Sequence, residues 1–228
     1  RDQIGGGFHR YSVDAHWTVP HFEKMLYDNA MLAEVYARAA AAYDSPFYRD
    51  VARTTIDYVL REMTQRDEAG HPVAFSTAQD AEVDHREGLN YLWTPEELRA
   101  VLDPASPIAA ASGIEAGDAD LALRIYGLDR APNFRDPHHP DEPARHILRM
   151  DLPPDEMAPR LGLEPDALRA RLPRINRVLY DARTTRKQPH LDDKAVLSWN
   201  ALMLRALAVS GSLNPERSDD LAAAFRIA

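Results

Sequence analysis

The chain has 228 residues, 45% of them hydrophobic, with a formal net charge of −9 and no cysteine. That length and apolar content suit one globular domain or a large piece of one. The acidic balance leaves no basic surface for a nucleic-acid backbone or an anionic membrane, and the missing cysteines remove disulfides, thiolate metal sites and Cys nucleophiles. No apolar run approaches the roughly 20 residues that span a bilayer, and a cytoplasmic location is favoured. The sequence opens on "RDQIGGGF" without an initiator Met and stops at "DDLAAAFRIA" inside a helical pattern, so it reads as an internal fragment.

The first segment, "IGGGFHRYSVD" (4–14), sets three glycines before an aromatic, polar run. The glycines let the backbone turn sharply, with His9, Arg10, Tyr11 and Asp14 facing a pocket. From Lys24 to Tyr43, Leu26, Ala30, Ala33, Ala37 and Ala40 recur at helical spacing, and their small size permits close helix approach. Pro20 biases Val19 away from helix. A start near Phe22 would put Glu23, Tyr27 and Ala30 on one stripe and pair Lys24 with Asp28. After a break at Asp44–Pro46, Tyr48, Val51, Thr55, Val59 and Met63 line a second helix, which predicts an αα-hairpin.

The period then changes. "VAFST" (73–77) and "LNYLWT" (89–94) predict a small β-hairpin joined by a polar stretch. Within that stretch Glu82 and Asp84 read as a solvated acidic turn that fails the EF-hand pattern, while Asp80 and Trp93 adjoin the strands and are pocket candidates. Thr94, Pro95 and Glu97 form a capping box that starts a helix. Residues 103–165 hold most of the prolines and read as loops with short helices near 118–127 and 153–161. His138, His139 and His146 lie in this Pro-rich stretch and are not read as a metal site. Helical pattern returns at 164–182 and 193–210 and again after Pro215.

Two helix starts are unusually polar. "VPHFEKMLYDNA" (19–30) offers His21, Glu23, Tyr27, Asp28 and Asn29. "HLDDKAVLSWNALML" (190–204) repeats the logic with Asp192, Asp193, Lys194, Trp199 and Asn200. Asp192 and Asp193 suit capping or sugar-hydroxyl binding, and Trp199 offers a face for stacking. Buried polar groups are costly unless paired, so both clusters are expected to line a shared cavity.

Together "GGGFHRYSVD", "VPHFEKMLYDNA", "DAE…EGLNYLWTPEEL" and "HLDDK…SWNALM" resemble the spermatogenesis-associated protein 20 family, the YyaL-like, thioredoxin-domain-containing proteins. The resemblance runs from residue 2 to about residue 210. It implies an all-α fold: part of an (α/α)6 toroid with small β-hairpins in its loops, similar to N-acylglucosamine 2-epimerases and other six-hairpin carbohydrate-active enzymes. It also implies a thioredoxin-like domain elsewhere in the parent chain, which would hold the family's redox-type cysteines. The whole of residues 1–228 would be one internal piece of the toroid. Two departures stand out: Asp80-Ala81-Glu82 replaces the family's usual Asp-Ala-Asp, and Trp199-Asn200-Ala201 replaces Trp-Asn-Gly.

On this reading the partner is a small-molecule sugar, with no obligatory metal or other cofactor. The leading expectation is a sugar epimerase or isomerase, which removes the proton α to a carbonyl. His21 and His9 would be the acid–base groups and Glu23 or Asp80 would orient them. Arg10, Tyr11, Tyr27, Asp28, Asn29, Trp93, Asp192, Asp193, Lys194, Trp199 and Asn200 would bind substrate. The alternatives are a non-catalytic sugar-binding or scaffold toroid beside the thioredoxin-like domain, and a glycoside hydrolase using two of Glu23, Asp80, Asp192 and Asp193.

Overall fold

Strict alternation, not helical spacing, governs residues 21–26. In the computed structural model, which describes residues 1–227, Phe22, Lys24 and Leu26 are fully buried while His21, Glu23 and Met25 are half-exposed. That period of two belongs to extended chain. Three short strands therefore precede the first helix: β1 (Tyr11–Ser12), β2 (Pro20–His21) and β3 (Lys24–Met25). Helix α1 (Leu26–Tyr43) begins two residues later than its apolar pattern alone suggests. The expected Lys24–Asp28 helical pair does not form, because Lys24 is drawn into the interior by Asp2.

Helix α1 buries Leu26, Ala30, Ala33, Ala37 and Ala40, the stripe expected from sequence. It ends at Asp44 in a left-handed conformation whose N–H returns to Ala40 O. Ser45 then caps α2 (Pro46–Tyr58) by accepting from Tyr48 N. A wider π turn over Val59–Met63 extends α2, keeping Val59 and Met63 buried. The αα-hairpin expected at this point is present.

The strand segment differs from expectation. Residues β4 (Thr64–Arg66) and β5 (Pro72–Phe75) form one hairpin, while β7 (Glu82–Val83) and β8 (Arg86–Glu87) form another. Strand β6 (Ala78–Gln79) lies before that second hairpin, and β9 (Leu92–Trp93) follows it. The predicted pairing of 73–77 with 89–94 does not occur. The polar stretch between them closes on itself instead, through Asp84 and His85, both with positive φ (53° and 60°), as a two-residue hairpin turn requires. Strand β9 takes its partner from the Pro-rich region, β10 (His146–Ile147).

Beyond β9 come α3 (Pro95–Val101), α4 (Pro107–Ala111), α5 (Asp118–Tyr126), α6 (Pro154–Arg160) and α7 (Pro165–Thr184). They share a core with Trp93, in which Leu98, Ile125, Tyr126, Leu168, Ile175 and Leu179 are buried. The Thr94–Glu97 capping box is present, with both reciprocal bonds made. Strand β11 (Leu191–Asp192) then leads into α8 (Leu197–Leu213), and α9 (Ser218–Ile227) follows Pro215. Helix α8 starts at Val196, its N-cap, so Asp192 and Asp193 do not cap it.

A second core unites the two hairpins α1–α2 and α8–α9, with α1 packed against α8. Strand β6 sits between β3 and β11, antiparallel to both. It thus ties together the two extended segments that lead into α1 and α8. The class is mostly α with small strand pairs. No helix among the described residues is long and apolar enough to cross a membrane.

Candidate functional site

The segment 20–25 has an inner and an outer face, and each carries its own set of charges. The inner set starts at the glycine turn. Gly6 and Gly7 have φ of 78° and 75°, and a Cβ on Gly6 would lie 2.1 Å from Thr54 O. Only glycine passes so close to α2 in that conformation. The turn aims Asp2 inward, where its carboxylate accepts from Ile4 N (3.1 Å) and Gly5 N (3.0 Å). Arg183 of α7 donates to the same carboxylate at 3.0 and 2.8 Å, and Lys24 Nζ donates at 2.9 Å. Lys24 Nζ also donates to Gly6 O and lies 4.1 Å from the centre of the Tyr58 ring.

Burial alone would raise the Asp2 carboxyl, but Arg183 and Lys24 hold it well below the ordinary carboxylate range. Burial lowers the Lys24 ammonium, partly offset by Asp2. Beside this triad, the Tyr58 and Tyr91 hydroxyls both donate to Gln79 Oε1, at 3.1 and 3.0 Å.

His9 also faces inward. Its Nδ1 lies 2.8 Å from Phe22 O. A carbonyl only accepts, so Nδ1 carries the proton and Nε2 keeps its lone pair. Its ring meets Tyr91 edge-on at 4.9 Å. Burial, reinforced by Lys24, holds the imidazole well below the usual histidine range, so it is neutral.

The outer face is built from β1, β2 and the β7–β8 hairpin. The register Tyr11↔His21 brings the two rings together at 4.9 Å, their planes tilted by 40°. His21 Nδ1 lies 3.2 Å from Glu87 Oε1, and its Nε2 is 3.7 Å from Glu23 Oε2, too long for a hydrogen bond. Glu23 is in turn held by Arg10 at 3.0 Å. Tyr27 of α1 meets Trp199 of α8 at 4.8 Å. Burial raises the Asp28 carboxyl, against the pull of Arg10, and its Oδ2 has no partner among the described residues. Four of the expected residues (Arg10, Tyr11, His21 and Glu23) thus form one connected group at the surface, while Tyr27 pairs with Trp199 beside it.

Others lie elsewhere. Asn29 is buried and binds Phe8 N, Phe8 O and Met25 O. Asn200 does the same for Phe75 N, Phe75 O and Val196 O. Trp93 is fully buried, with the Arg186 guanidinium 4.0 Å from its ring centre. Asp80 is exposed and accepts from Ala81 N. Carrying the β3–β6–β11 register one residue further puts Glu23, Asp80 and His190 in one row. Asp192 pairs with exposed Lys194 at 3.0 Å, and Asp193 O accepts from Gln65.

Glu87, Asp2, Arg183, Gln79 and Tyr91 were not singled out from sequence. Only the abrupt glycine turn beside Asp2 hinted at a tight interior contact. Among the described residues no group of three or more His, Asp or Glu could hold a metal ion. His146 is buried, with Nε2 3.1 Å from Arg130 O.

No protein-family model matches the chain. It is 36% identical to spermatogenesis-associated protein 20 of Homo sapiens over 221 residues, 93% of this chain and 27% of the relative. The Mus musculus protein of the same name is 36% identical over 220 residues, again 93% and 27%. A Caenorhabditis elegans protein is 31% identical over 220 residues, 90% of this chain and 28% of the relative. The chain thus spans about a quarter of the length of the curated relatives it matches. Homology at this level supports the spermatogenesis-associated protein 20 family resemblance.

Proposed function

We propose that the chain is part of an (α/α)6 toroid acting on sugars, and that it epimerises or isomerises a sugar by removing the proton α to a carbonyl. The observation that carries this reading is the setting of His21. Glu87 engages Nδ1 and so fixes the ring, while Nε2 stays unbonded beside the Glu23–Arg10 pair. An imidazole oriented by a carboxylate through one nitrogen can take a proton with the other. Tyr11 packs against the ring and Arg10 supplies positive charge where an enolate oxygen would develop. The side-by-side packing of α1 and α8, each the first helix of its hairpin, supports the toroid part of the proposal. A thioredoxin-like domain in the parent chain belongs to the same proposal.

Hydrolysis receives less support. A glycosidase needs two carboxylates with the scissile bond between them, and of the four expected, Glu23 is held by Arg10 and Asp192 by Lys194.

The test is proton NMR in heavy water with aldoses, ketoses and N-acyl sugars, following loss of the C2 proton signal. Exchange should occur and should fall about 100-fold or more in His21→Ala. Exchange at the parental rate in that variant would place the base elsewhere, and a silent panel would remove the epimerase reading.

A further inference from the structure

A cavity of about 520 Å³ borders β1, and its wall carries the opposite sign of charge to the chain as a whole. The chain holds 36 Asp and Glu against 27 Lys and Arg. The cavity is lined by four arginines (Arg1, Arg10, Arg149 and Arg183) and one carboxylate, Asp2. Two of the four are balanced by acids outside the lining: Arg10 by Glu23 at 3.0 Å and Arg149 by Asp151 at 2.8 Å. The other two are not. Asp2 is shared by Arg183 and Lys24, and all three are buried, so two cations meet one anion. Glu62, which also acts on Lys24 and Arg183, is itself held by Arg61 at 2.8 Å. Arg1 Nη1 stands 4.0 Å from Asp50, too far to bond, and Arg53 already takes that carboxylate at 2.6 Å. Arg1 Nη1 is buried and has no hydrogen-bond partner among the described residues. A buried cation without its anion is costly, and both surplus charges belong to one open space.

We propose that this cavity binds a small aromatic carboxylic acid, with the carboxylate on Arg1 and Arg183 and the ring among Phe8, Tyr36 and Trp17. The surplus charge calls for an anion, and a guanidinium matches a planar carboxylate through parallel hydrogen bonds. Arg183 spends Nη1 and Nη2 on Asp2, but a guanidinium has five N–H groups, so donors remain for a second acceptor. Much of the remaining wall is aromatic or aliphatic. Phe8 and Tyr36 stack at 5.7 Å, and Leu32 and Leu148 add apolar surface. A flat apolar body suits such walls without needing hydroxyls. The volume lies in the range of small-molecule sites and exceeds what a bare inorganic anion fills. His21, Glu23 and Glu87 are not part of this lining, so the proposal rests neither on proton transfer at His21 nor on a sugar.

Isothermal titration calorimetry of the protein with benzoate, 3-phenylpropionate and 2-naphthoate tests it, beside the neutral amides of the same acids and inorganic phosphate. Saturable binding of at least one acid is expected, about tenfold or more tighter than its amide. Arg1→Met should weaken that binding about tenfold with a melting temperature no lower than the parent's, because the cation it removes has no partner. His21→Ala should bind the acid as the parent does. No heat from any acid at millimolar concentration overturns the proposal. So does an amide that binds as tightly as its acid, or phosphate that binds as tightly as the acids. A loss in His21→Ala equal to that in Arg1→Met also overturns it, by putting the acid at the His21 site. A silent sugar panel in the C2 exchange experiment leaves these outcomes untouched, so the two readings fail separately.

Discussion

The two extended segments that lead into α1 and α8 use one device in two settings. Each begins Pro-His (Pro20-His21 and Pro189-His190), flanks β6, and reaches an Asn-Ala pair in its helix (Asn29-Ala30 and Asn200-Ala201). Each asparagine clamps the N–H and carbonyl of one phenylalanine, with matching lengths of 2.7 and 3.1 Å. Around this shared clamp the charges differ. The first segment sinks Lys24 into an ion cluster with Asp2 and Arg183 and shows His21 and Glu23 outside. The second leaves Asp192 and Lys194 paired in solvent. What the two share holds helices to strands; what they do not share is the charged surroundings, and the proposed function draws on those of the first segment alone.

The largest effect should come from removing the anion of the first segment. Asp2→Ala leaves Lys24 and Arg183 buried without their common partner, and should cost about 4 kcal/mol. Chemical denaturation measures it. Lys194→Ala at the second segment should leave the midpoint unchanged, because that pair is solvated. Equal losses from both substitutions would erase the proposed distinction.

The shared clamp should respond alike in both places. Asn29→Ala and Asn200→Ala each remove three hydrogen bonds and strand a buried backbone N–H and carbonyl. Each should cost about 3 kcal/mol, as read from denaturant midpoints. A large loss for one and none for the other would show that the likeness is one of geometry alone.

The reach of each pattern explains how much of this was legible. The α1 stripe, the α1–α2 hairpin and the Thr94 cap depend on residues within a few positions, and sequence reading found them. Residues 22–26 satisfy periods of 2 and of 4 equally, since Phe22 and Leu26 belong to both. The choice between them was made by Asp2, 22 positions from Lys24, and by Arg183, 181 positions from Asp2. Glu87, which orients His21, is 66 positions away. The clamp repeat was half visible, but two extra residues between Pro189 and Asn200 break the spacing set by Pro20 and Asn29.

The smallest effect sharpens the contrast between the faces through pH. His9 is held neutral in the fold, chiefly by burial, and titrates near 6.5 when exposed. Below pH 6.5 the unfolded chain therefore binds a proton that the folded chain refuses, so stability falls as pH drops. Asp2, depressed in the fold, adds a further loss only below 3.8. Between 6.5 and 3.8 the decline should carry the His9 contribution, and His9→Leu should flatten it even though the variant starts from a lower stability. The slope, not the absolute midpoint, is the readout, because losing the bond to Phe22 O shifts the whole curve. An unchanged slope in His9→Leu would mean that His9 accepts its proton in the fold as readily as in the unfolded chain. The inner face would then be no drier than the outer one.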